Sequence, residues 1–272
     1  MKSKIHFRTI VISDLHLGTK GSKAKEVTNF LKQYKCRKLI LNGDIIDGWQ
    51  LRKYGAWKKK HTAFFKTVLK MMDDYDTKVI YLRGNHDDFL DRIRPLRLGK
   101  QFQIRKDYIL KSGSKRFYIT HGDVFDSITT NLKWLAYLGD MGYTFLLWVN
   151  KLYNHYRSWQ GLPYYSLSQV IKQRVKAAVS YISDFEEKLT ELARSQNCDG
   201  IICGHIHQPA IRQIDGLIYM NSGDWVESLS ALVEDHDGNW SLMFYNEQEV
   251  KSASEPTISE FFGRKERLAK VS

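Results

Sequence analysis

The chain has 272 residues, a length that is enough for one large hydrophobic core. Its residues are 43% hydrophobic and 13% aromatic, with only four prolines, and this composition excludes a disordered or low-complexity protein. Its net charge is +12 and uneven, because residues 1–126 hold 28 Lys and Arg against 13 Asp and Glu, a net +15, whereas residues 201–272 hold 6 against 11, a net −5. The basic first half indicates an anionic partner such as phosphate, nucleic acid or an acidic membrane, or else a solvated face that only aids solubility.

Strands and helices alternate in the first third of the chain. Nearly continuous apolar runs predict buried strands at Phe7–Ser13, Lys38–Leu41 and Lys78–Leu82. Apolar residues at helical spacing predict helices at Ser22–Tyr34 and Trp57–Met72. This βαβαβ order predicts a mainly parallel sheet covered by helices.

The pattern changes after residue 100. Two strand-like runs, Phe102–Lys111 and Lys115–Thr120, read as a hairpin, and residues 125–195 are mostly helical, with a long helix over Ser168–Arg194. Strands then resume at Gly200–Cys203, Ala210–Ile214, Leu217–Asn221, Ser228–Glu234 and Trp240–Tyr245. We therefore expect one α/β domain over residues 1–272 with two sheets, a helical insertion at about 125–195 and a charged tail at about 252–272.

The cysteines and the apolar segments bear on location. Cys36, Cys198 and Cys203 are odd in number and lack metal-clip spacing, which favours a reducing compartment over a disulfide framework. The apolar run after Lys2 and Lys4 is short and leads into the predicted first strand, so it does not read as a signal peptide. No uncharged stretch is long enough to span a bilayer. These features predict a cytoplasmic protein.

Five short polar blocks recur in order, and each follows a predicted strand. They are Asp14-Leu15-His16, Gly43-Asp44, Gly84-Asn85-His86-Asp87, His121-Gly122-Asp123 and Gly204-His205-Ile206-His207. Because side chains at the carboxyl ends of neighbouring strands can converge, these blocks are expected to meet although they are far apart in sequence.

The residue types in these blocks are metal ligands. Two pairs, Asp14 with His16 and His205 with His207, are two residues apart and would share one face of a strand. The carboxylate of Asp44 has oxygens on both sides and can bridge two ions, while Asn85 offers an amide oxygen and His121 an imidazole. Two carboxylates, one amide and four imidazoles suit Mn, Fe, Zn or Ni better than Ca. One such histidine alone would read as structural, but seven ligands in agreement predict a metal site.

The five blocks together resemble the calcineurin-like metallophosphoesterase family over essentially the whole chain outside the insertion. The resemblance implies a four-layer α-β-β-α sandwich of two mixed sheets with a binuclear centre holding two divalent ions, of which we expect Mn, with Fe, Zn or Ni as alternatives. It also divides the ligands between the ions. One ion would be held by Asp14, His16, Asp44 and His207, and the other by Asp44, Asn85, His121 and His205.

The resemblance also implies the catalytic residues. His86 would stand beside the phosphate as a cation or as the acid that protonates the leaving oxygen. Asp47 resembles the acid that orients this histidine in the family, although it could instead cap a turn. Asp87 is a second candidate for the orienting role, and the sequence leaves both open.

Within the family, the block order and the long insertion resemble the UDP-2,3-diacylglucosamine diphosphatases of lipid A synthesis. Those enzymes cleave a lipid-nucleotide pyrophosphate to UMP and the acylated sugar phosphate, and a helical lid holds the acyl chains. The best-known branch has Arg where this chain has His86. The block order and the insertion lead us to expect a lipid-linked nucleotide substrate, whereas the His86 block agrees with the wider family. A phosphodiesterase or nuclease acting on nucleic acid or cyclic nucleotides is the alternative, and a non-catalytic module or a phosphoprotein phosphatase is less favoured.

The insertion and the basic loops supply candidate substrate contacts. Trp134, Tyr137 and Trp148 would line an acyl groove or lie on a membrane, although apolar helical stripes also simply pack on a core. Arg52, Arg92 and Arg94 follow the second and third blocks and could grip a diphosphate. The expected partners are a phosphorylated lipid nucleotide and an anionic membrane surface, with nucleic acid less favoured. The expected location is the cytoplasm, with peripheral association at the inner membrane face.

Overall fold

Two sheets make up the scaffold in the computed structural model, which describes residues 5–124, 151–162 and 167–246. The seven-stranded first sheet has the order β12-β11-β1-β2-β3-β5-β4, and the five-stranded second sheet has the order β6-β7-β8-β10-β9. The strands are β1 Ile5–Ile12, β2 Tyr34–Asn42, β3 Lys78–Leu82, β4 Leu96–Leu98, β5 Phe102–Arg105, β6 Asp107–Ser112, β7 Lys115–Thr120, β8 Gly200–Cys203, β9 Ala210–Ile214, β10 Leu217–Asn221, β11 Ser230–Glu234 and β12 Trp240–Phe244.

The centre of the first sheet is parallel, as the βαβαβ order predicts. Strands β1, β2, β3 and β5 run in parallel, whereas β4, β11 and β12 add antiparallel edges and make the sheet mixed. The second sheet is also mixed, since β7, β8 and β10 are parallel while β6 and β9 are antiparallel to their neighbours.

The predicted hairpin is only partly correct. Strands β6 and β7 pair as expected, but the run Phe102–Lys111 divides at Lys106 between β5 in the first sheet and β6 in the second. The apolar pattern continues across the point where the chain passes from one sheet to the other. Periodicity alone therefore does not reveal the break.

Alternation along the strands builds four layers. On β2, Leu39 and Leu41 pack in the cluster formed with the helices of the first layer, whereas Ile40 faces the cluster between the two sheets. On the far side of the second sheet, Phe185 and Leu189 of the last helix pack against strand residues. Three apolar clusters thus separate a helix, sheet, sheet, helix sandwich, which confirms the predicted fold class.

Five α-helices lie in the described parts of the chain. They are α1 Ala24–Gln33, α2 Gly48–Tyr54, α3 Lys59–Tyr75, the helical residues 151–159, which we label α4, and α5 Leu167–Ser195. The sequence patterns did not predict α2, which is short, begins after a cap by Asp47 and ends at Gly55 in the left-handed region. A 3₁₀ helix, Asp88–Arg92, follows the third block.

The predicted insertion divides into parts with different surroundings. The C-terminal part of α5 belongs to the packed sandwich, while α4 exposes several apolar side chains. Trp134, Tyr137 and Trp148 lie outside the described residues, as does the tail at about 252–272. Among the helices that the structure describes, none combines the length and apolar character needed to cross a bilayer. All three cysteines are buried free thiols.

Candidate metal centre

The five blocks meet at the carboxyl ends of β1, β2, β3, β7 and β8. Backbone hydrogen bonds join the first two blocks side by side, with Asp14 N donating to Gly43 O at 3.1 Å and His16 N to Asp44 O at 2.9 Å. The fifth block is tied to the fourth, since Gly204 N donates to His121 O at 3.0 Å. The loops are therefore held to one another before any ligand binds.

Most of the predicted ligands have an unusual backbone conformation. Positive φ angles occur at Asp14 (54°), His16 (46°), Asp44 (52°), His205 (70°) and His207 (55°). Left-handed conformations in non-glycine residues are uncommon, cost free energy and cluster at functional sites. Five of them in one pocket indicate that the surrounding fold holds this arrangement in place.

The prediction that each ligand pair shares one face of a strand is wrong. Strands β1 and β8 end at Ile12 and Cys203, so the pairs lie on left-handed loops beyond the strands. Asp14 and His16 still reach one cluster, but the other pair separates. His207 groups with Asp14 and His16, whereas His205 groups with Asp44 and His121.

Two overlapping clusters of ligand atoms result, and a third group, made of His16, Asp44 and His86, lies across them. In the first, His207 Nε2 lies 3.1 Å and His16 Nε2 4.0 Å from Asp14 Oδ1. In the second, His121 Nε2 lies 3.4 Å from Asp44 Oδ2. The same Asp44 oxygen lies 3.8 Å from His16 Nε2, which places it between the clusters. The division of all seven ligands between two ions stays a prediction.

Each buried carboxylate uses its two oxygens differently. Asp14 Oδ2 accepts a hydrogen bond from His205 N at 3.0 Å, and Asp44 Oδ1 accepts one from His86 N at 2.8 Å. The other oxygen of each faces imidazole nitrogens. The expectation that Asp44 bridges through both oxygens is therefore not what this geometry favours, because only Oδ2 faces the neighbouring imidazoles.

Two buried polar atoms fit a cation. Among the residues that the structure describes, Asn85 Oδ1 and His121 Nε2 are buried and form no hydrogen bond. His121 Nδ1 lies 2.8 Å from the carbonyl oxygen of Asn42, so Nδ1 donates there, and once Nε2 gives up its proton its lone pair faces the pocket. An amide oxygen and an imidazole nitrogen left in this way match the ligand chemistry of transition metals.

The acids and imidazoles of the pocket shift one another's pKa values. Burial favours the neutral acids, but His207 and His121 hold the pKa of Asp14 below its usual range, and His121, His16 and His86 do the same for the pKa of Asp44. Burial would lower the pKa of His121, yet Asp44 and Asp14 raise it to about 10. The pocket thus holds the carboxylate anions of Asp14 and Asp44 next to the protonated ring of His121. A metal ion bound there would replace this positive charge.

His86 groups with His16 and Asp44, and its acid partner is Asp47. Its Nδ1 lies 3.1 Å from Asp47 Oδ2, and its Nε2 lies 3.9 Å from Asp44 Oδ2. Asp47 Oδ1 also accepts from Gln50 N at 2.8 Å, so Asp47 orients the histidine and caps α2 at once. The same Asp47 Oδ2 lies 3.5 Å from His16 Nδ1.

Asp87 has another position. Its two oxygens accept hydrogen bonds from the backbone N–H groups of Ile45 at 3.1 Å and Ile46 at 2.8 Å. Burial and the nearby Asp44 charge raise the pKa of Asp87 to about 8. Of the two candidates for orienting His86, the geometry favours Asp47, and Asp87 instead holds the loop after β2.

The basic candidates after the second and third blocks have varied settings. Arg52 is exposed on α2 and not on a loop as expected, and Arg92 is exposed at the end of the 3₁₀ helix. Arg94 Nε is held by Asp91 Oδ1 at 2.5 Å. Its charge is thus partly neutralised before a substrate binds.

Sequence reasoning missed three neighbours of the site. Trp49 packs its ring 4.4 Å from that of His86, Asn42 holds His121 through its backbone carbonyl, and Phe185 of α5 lies 6.2 Å from the His205 ring. The position of Trp49 two residues after Asp47 was the available signal. The contacts of Asn42 and Phe185 depend on tertiary folding, for which the sequence gives no local sign.

Solved structures with a distantly similar fold include the phosphoesterase YfcE from E. coli, with 17% identity, a TM-score of 0.41 and coverage of 88% of this chain and 99% of that one. An archaeal phosphodiesterase has 13% identity and a TM-score of 0.40, with 87% and 98% covered. Vacuolar protein sorting 29 from Cryptosporidium parvum has 11% identity and a TM-score of 0.38, with 86% and 94% covered. No match was found among curated protein sequences.

The sandwich and its clustered aspartate and histidine ligands define a scaffold for metal-dependent phosphoester hydrolysis. The chain belongs to the calcineurin-like phosphoesterase family, whose model matches residues 7–209. That span begins in β1 and ends just after His207, so it contains all five blocks. The family uses a binuclear metal centre, and the candidate ligand groups of this pocket fit one.

Proposed function

We propose that this chain is a binuclear-metal phosphohydrolase that cleaves a pyrophosphate or phosphodiester bond in a lipid-linked nucleotide such as UDP-2,3-diacylglucosamine. The observation that carries the hydrolase part is the pair of clusters joined at Asp44 Oδ2, with His86 beside them. A binding module would not need an oriented imidazole at the edge of two metal positions. The substrate class rests on separate observations, given below.

The ligand assignment follows the two clusters. Asp14, His16 and His207 would hold one cation, Asn85, His121 and His205 the other, and Asp44 both. Two cations bound there would supply a water of lowered pKa and would neutralise charge on the phosphoryl oxygens. The protein prepares for this by fixing the Nδ1 proton of His121 on the Asn42 carbonyl, at 2.8 Å.

His86 and Asp47 supply the acid chemistry. The Asp47 carboxylate lies 3.1 Å from Nδ1 of His86 and would hold a proton there, while Nε2 is on the pocket side, 3.9 Å from Asp44 Oδ2. From this position Nε2 donates its proton to the leaving oxygen, and in its charged form it attracts the phosphate. Asp47 acts through His86 and is a positioning residue.

The lipid part of the proposal is supported by exposed apolar side chains in the insertion. On α4, Leu152, Tyr153, Tyr156 and Trp159 recur at helical spacing and are 59%, 46%, 53% and 83% exposed. Clustered exposed apolar groups of this kind mark lipid or partner contacts. The net +15 of residues 1–126 fits an anionic lipid surface as well as a phosphorylated substrate.

A panel of substrates tests this proposal. The Mn²⁺-loaded chain should hydrolyse UDP-2,3-diacylglucosamine with a higher kcat/KM than bis(p-nitrophenyl) phosphate or single-stranded DNA. Preferred cleavage of DNA or of a cyclic nucleotide would overturn the lipid assignment and favour the phosphodiesterase alternative. Failure on every substrate with metal bound would overturn the hydrolase assignment.

A matched pair of variants tests the apolar surface. Leu152 on α4 and Leu69 on α3 are both helical leucines, 59% and 57% exposed. Leu152→Glu should raise KM for UDP-2,3-diacylglucosamine without changing hydrolysis of bis(p-nitrophenyl) phosphate, whereas Leu69→Glu should change neither. An equal effect of the two variants would show that the α4 surface has no special part in lipid binding.

A further inference from the structure

Trp49 presents a large aromatic surface beside the site. It lies in the first turn of α2 and is 48% exposed, although tryptophan is mostly buried in folded proteins. Its ring centroid lies 4.4 Å from that of His86, with the two planes inclined at 36°. One imidazole ring therefore separates the indole from the pocket that contains Asp44.

The indole is attached to the third block by the backbone around it. Gly48 N donates to His86 O at 3.0 Å. A Cβ at Gly48 would lie 2.8 Å from Phe89 Cδ1 and 3.0 Å from His86 O, so only glycine allows this close approach. Because α2 is also capped by Asp47, Trp49 is held in place before a ligand arrives, and less ordering entropy is lost on binding.

Two basic side chains share the helix face of Trp49. Arg52 and Lys53 are three and four residues further along α2 and are exposed. An aromatic platform combined with cations suits a ligand in which a planar ring is joined to phosphate. A nucleotide has this form, since its base lies one sugar away from the phosphorus.

We propose that Trp49 is the stacking platform for the nucleobase of the substrate's nucleotide portion, with Arg52 and Lys53 toward the phosphate end of that nucleotide. This assignment rests on the proposed phosphohydrolase function and names the group that the α2 side of the site recognises. A membrane contact would also use exposed aromatic and basic residues. The packing of Trp49 on His86 favours the nucleotide, because it places the indole at the reacting centre.

Calorimetry with the Mn²⁺-loaded full chain tests the platform without requiring turnover. Wild-type protein should bind uridine 5′-monophosphate more tightly than ribose 5-phosphate, since only the former carries a base. Trp49→Ala should reduce this preference about 5- to 150-fold, the range expected for loss of one base–aromatic stack. Trp49→Phe should retain most of it, because a planar ring remains.

Tyr54 provides the matched control, as the other aromatic residue of α2 and 65% exposed. Tyr54→Ala should retain the wild-type preference for the nucleotide. If Trp49→Ala retains it as well, or if Tyr54→Ala loses it equally, the platform assignment is overturned. If Trp49→Ala weakens sedimentation with phosphatidylserine vesicles while the preference stays intact, Trp49 is a lipid contact and the assignment is likewise overturned.

A kinetic comparison separates this assignment from the hydrolase proposal. Thymidine 5′-(p-nitrophenyl phosphate) and methyl p-nitrophenyl phosphate release the same chromophore, and only the first carries a base. The ratio of their kcat/KM values should fall in Trp49→Ala, mainly through KM, and stay unchanged in Tyr54→Ala. If neither ester is hydrolysed while nucleotide binding still depends on Trp49, the platform stands and the hydrolase proposal fails.

Discussion

Gly84 allows Asp44 to occupy its position between the two metal clusters. A Cβ at residue 84 would lie 2.2 Å from Asp44 Oδ1, 2.6 Å from Asp44 N and 2.8 Å from His121 Cδ2. Non-bonded carbon atoms prefer separations of about 3.5 Å or more, so Gly84→Ala must displace the Asp44 carboxylate by roughly 1 Å. Gly84 does not have a positive φ, and the effect of the substitution is therefore steric.

The size of the effect follows from this displacement. Misplacing a catalytic group by 1 Å can cost about 100-fold in rate, and overpacking costs about 1–3 kcal/mol of stability. We expect Gly84→Ala to fold with a lowered Tm, to lose at least about 100-fold in kcat/KM for bis(p-nitrophenyl) phosphate with Mn²⁺, and to bind metal more weakly.

Gly21→Ala is the control, because a Cβ there would meet only Val226 Cγ1, at an ordinary 3.5 Å. This variant should match the wild type in metal content and activity. Thermal unfolding by circular dichroism shows whether each variant is folded. A folded Gly84→Ala protein as active as Gly21→Ala would refute the claim that Asp44 must sit at this point.

Three further predictions concern the site and its rim. His86→Ala should lower turnover by about 10²- to 10⁴-fold while metal content is retained, and an equal loss of metal would make His86 a ligand. Because Asp44 and Asp14 raise the pKa of His121 to about 10, Mn²⁺ binding at neutral pH must displace a proton and should strengthen as pH rises. Calorimetry in buffers of different ionisation enthalpy should detect about one released proton, and heats independent of buffer would contradict this. The double variant with alanine at both Arg92 and Arg94 should have a raised KM and bind anionic vesicles more weakly. The same double substitution at Lys111 and Lys115, which are exposed at the far end of β6 and β7, should change neither quantity.

Much of the fold follows from local sequence patterns. The strand Lys78–Leu82 and the strand Gly200–Cys203 have the predicted bounds, because short apolar runs between polar turns leave little ambiguity. The long helix was predicted at Ser168–Arg194 and is observed at Leu167–Ser195. By contrast, α2 was not predicted. Its seven residues are too few to show a helical period, and its ends depend on Asp47 and Gly55.

The site shows a different limit of sequence reasoning. The blocks predict which residues meet, but strand periodicity predicts an extended backbone for residues that lie on left-handed loops. His205 and His207 lie on a loop beyond β8 and reach different clusters, and nothing in a two-residue spacing encodes the positive φ angles of that loop. The choice between Asp47 and Asp87 likewise needed coordinates, since both flank His86 in space and only Asp47 faces its ring.

The central claim is that seven side chains from five loops hold two divalent ions. Elemental analysis of the Mn²⁺-loaded, desalted chain tests it most directly, together with Asp44→Asn, which alters the ligand shared by both clusters. We predict two equivalents of metal per wild-type chain and a marked loss in the variant. A folded wild-type chain that retains no metal, or an Asp44→Asn chain that retains the full amount, would contradict the account.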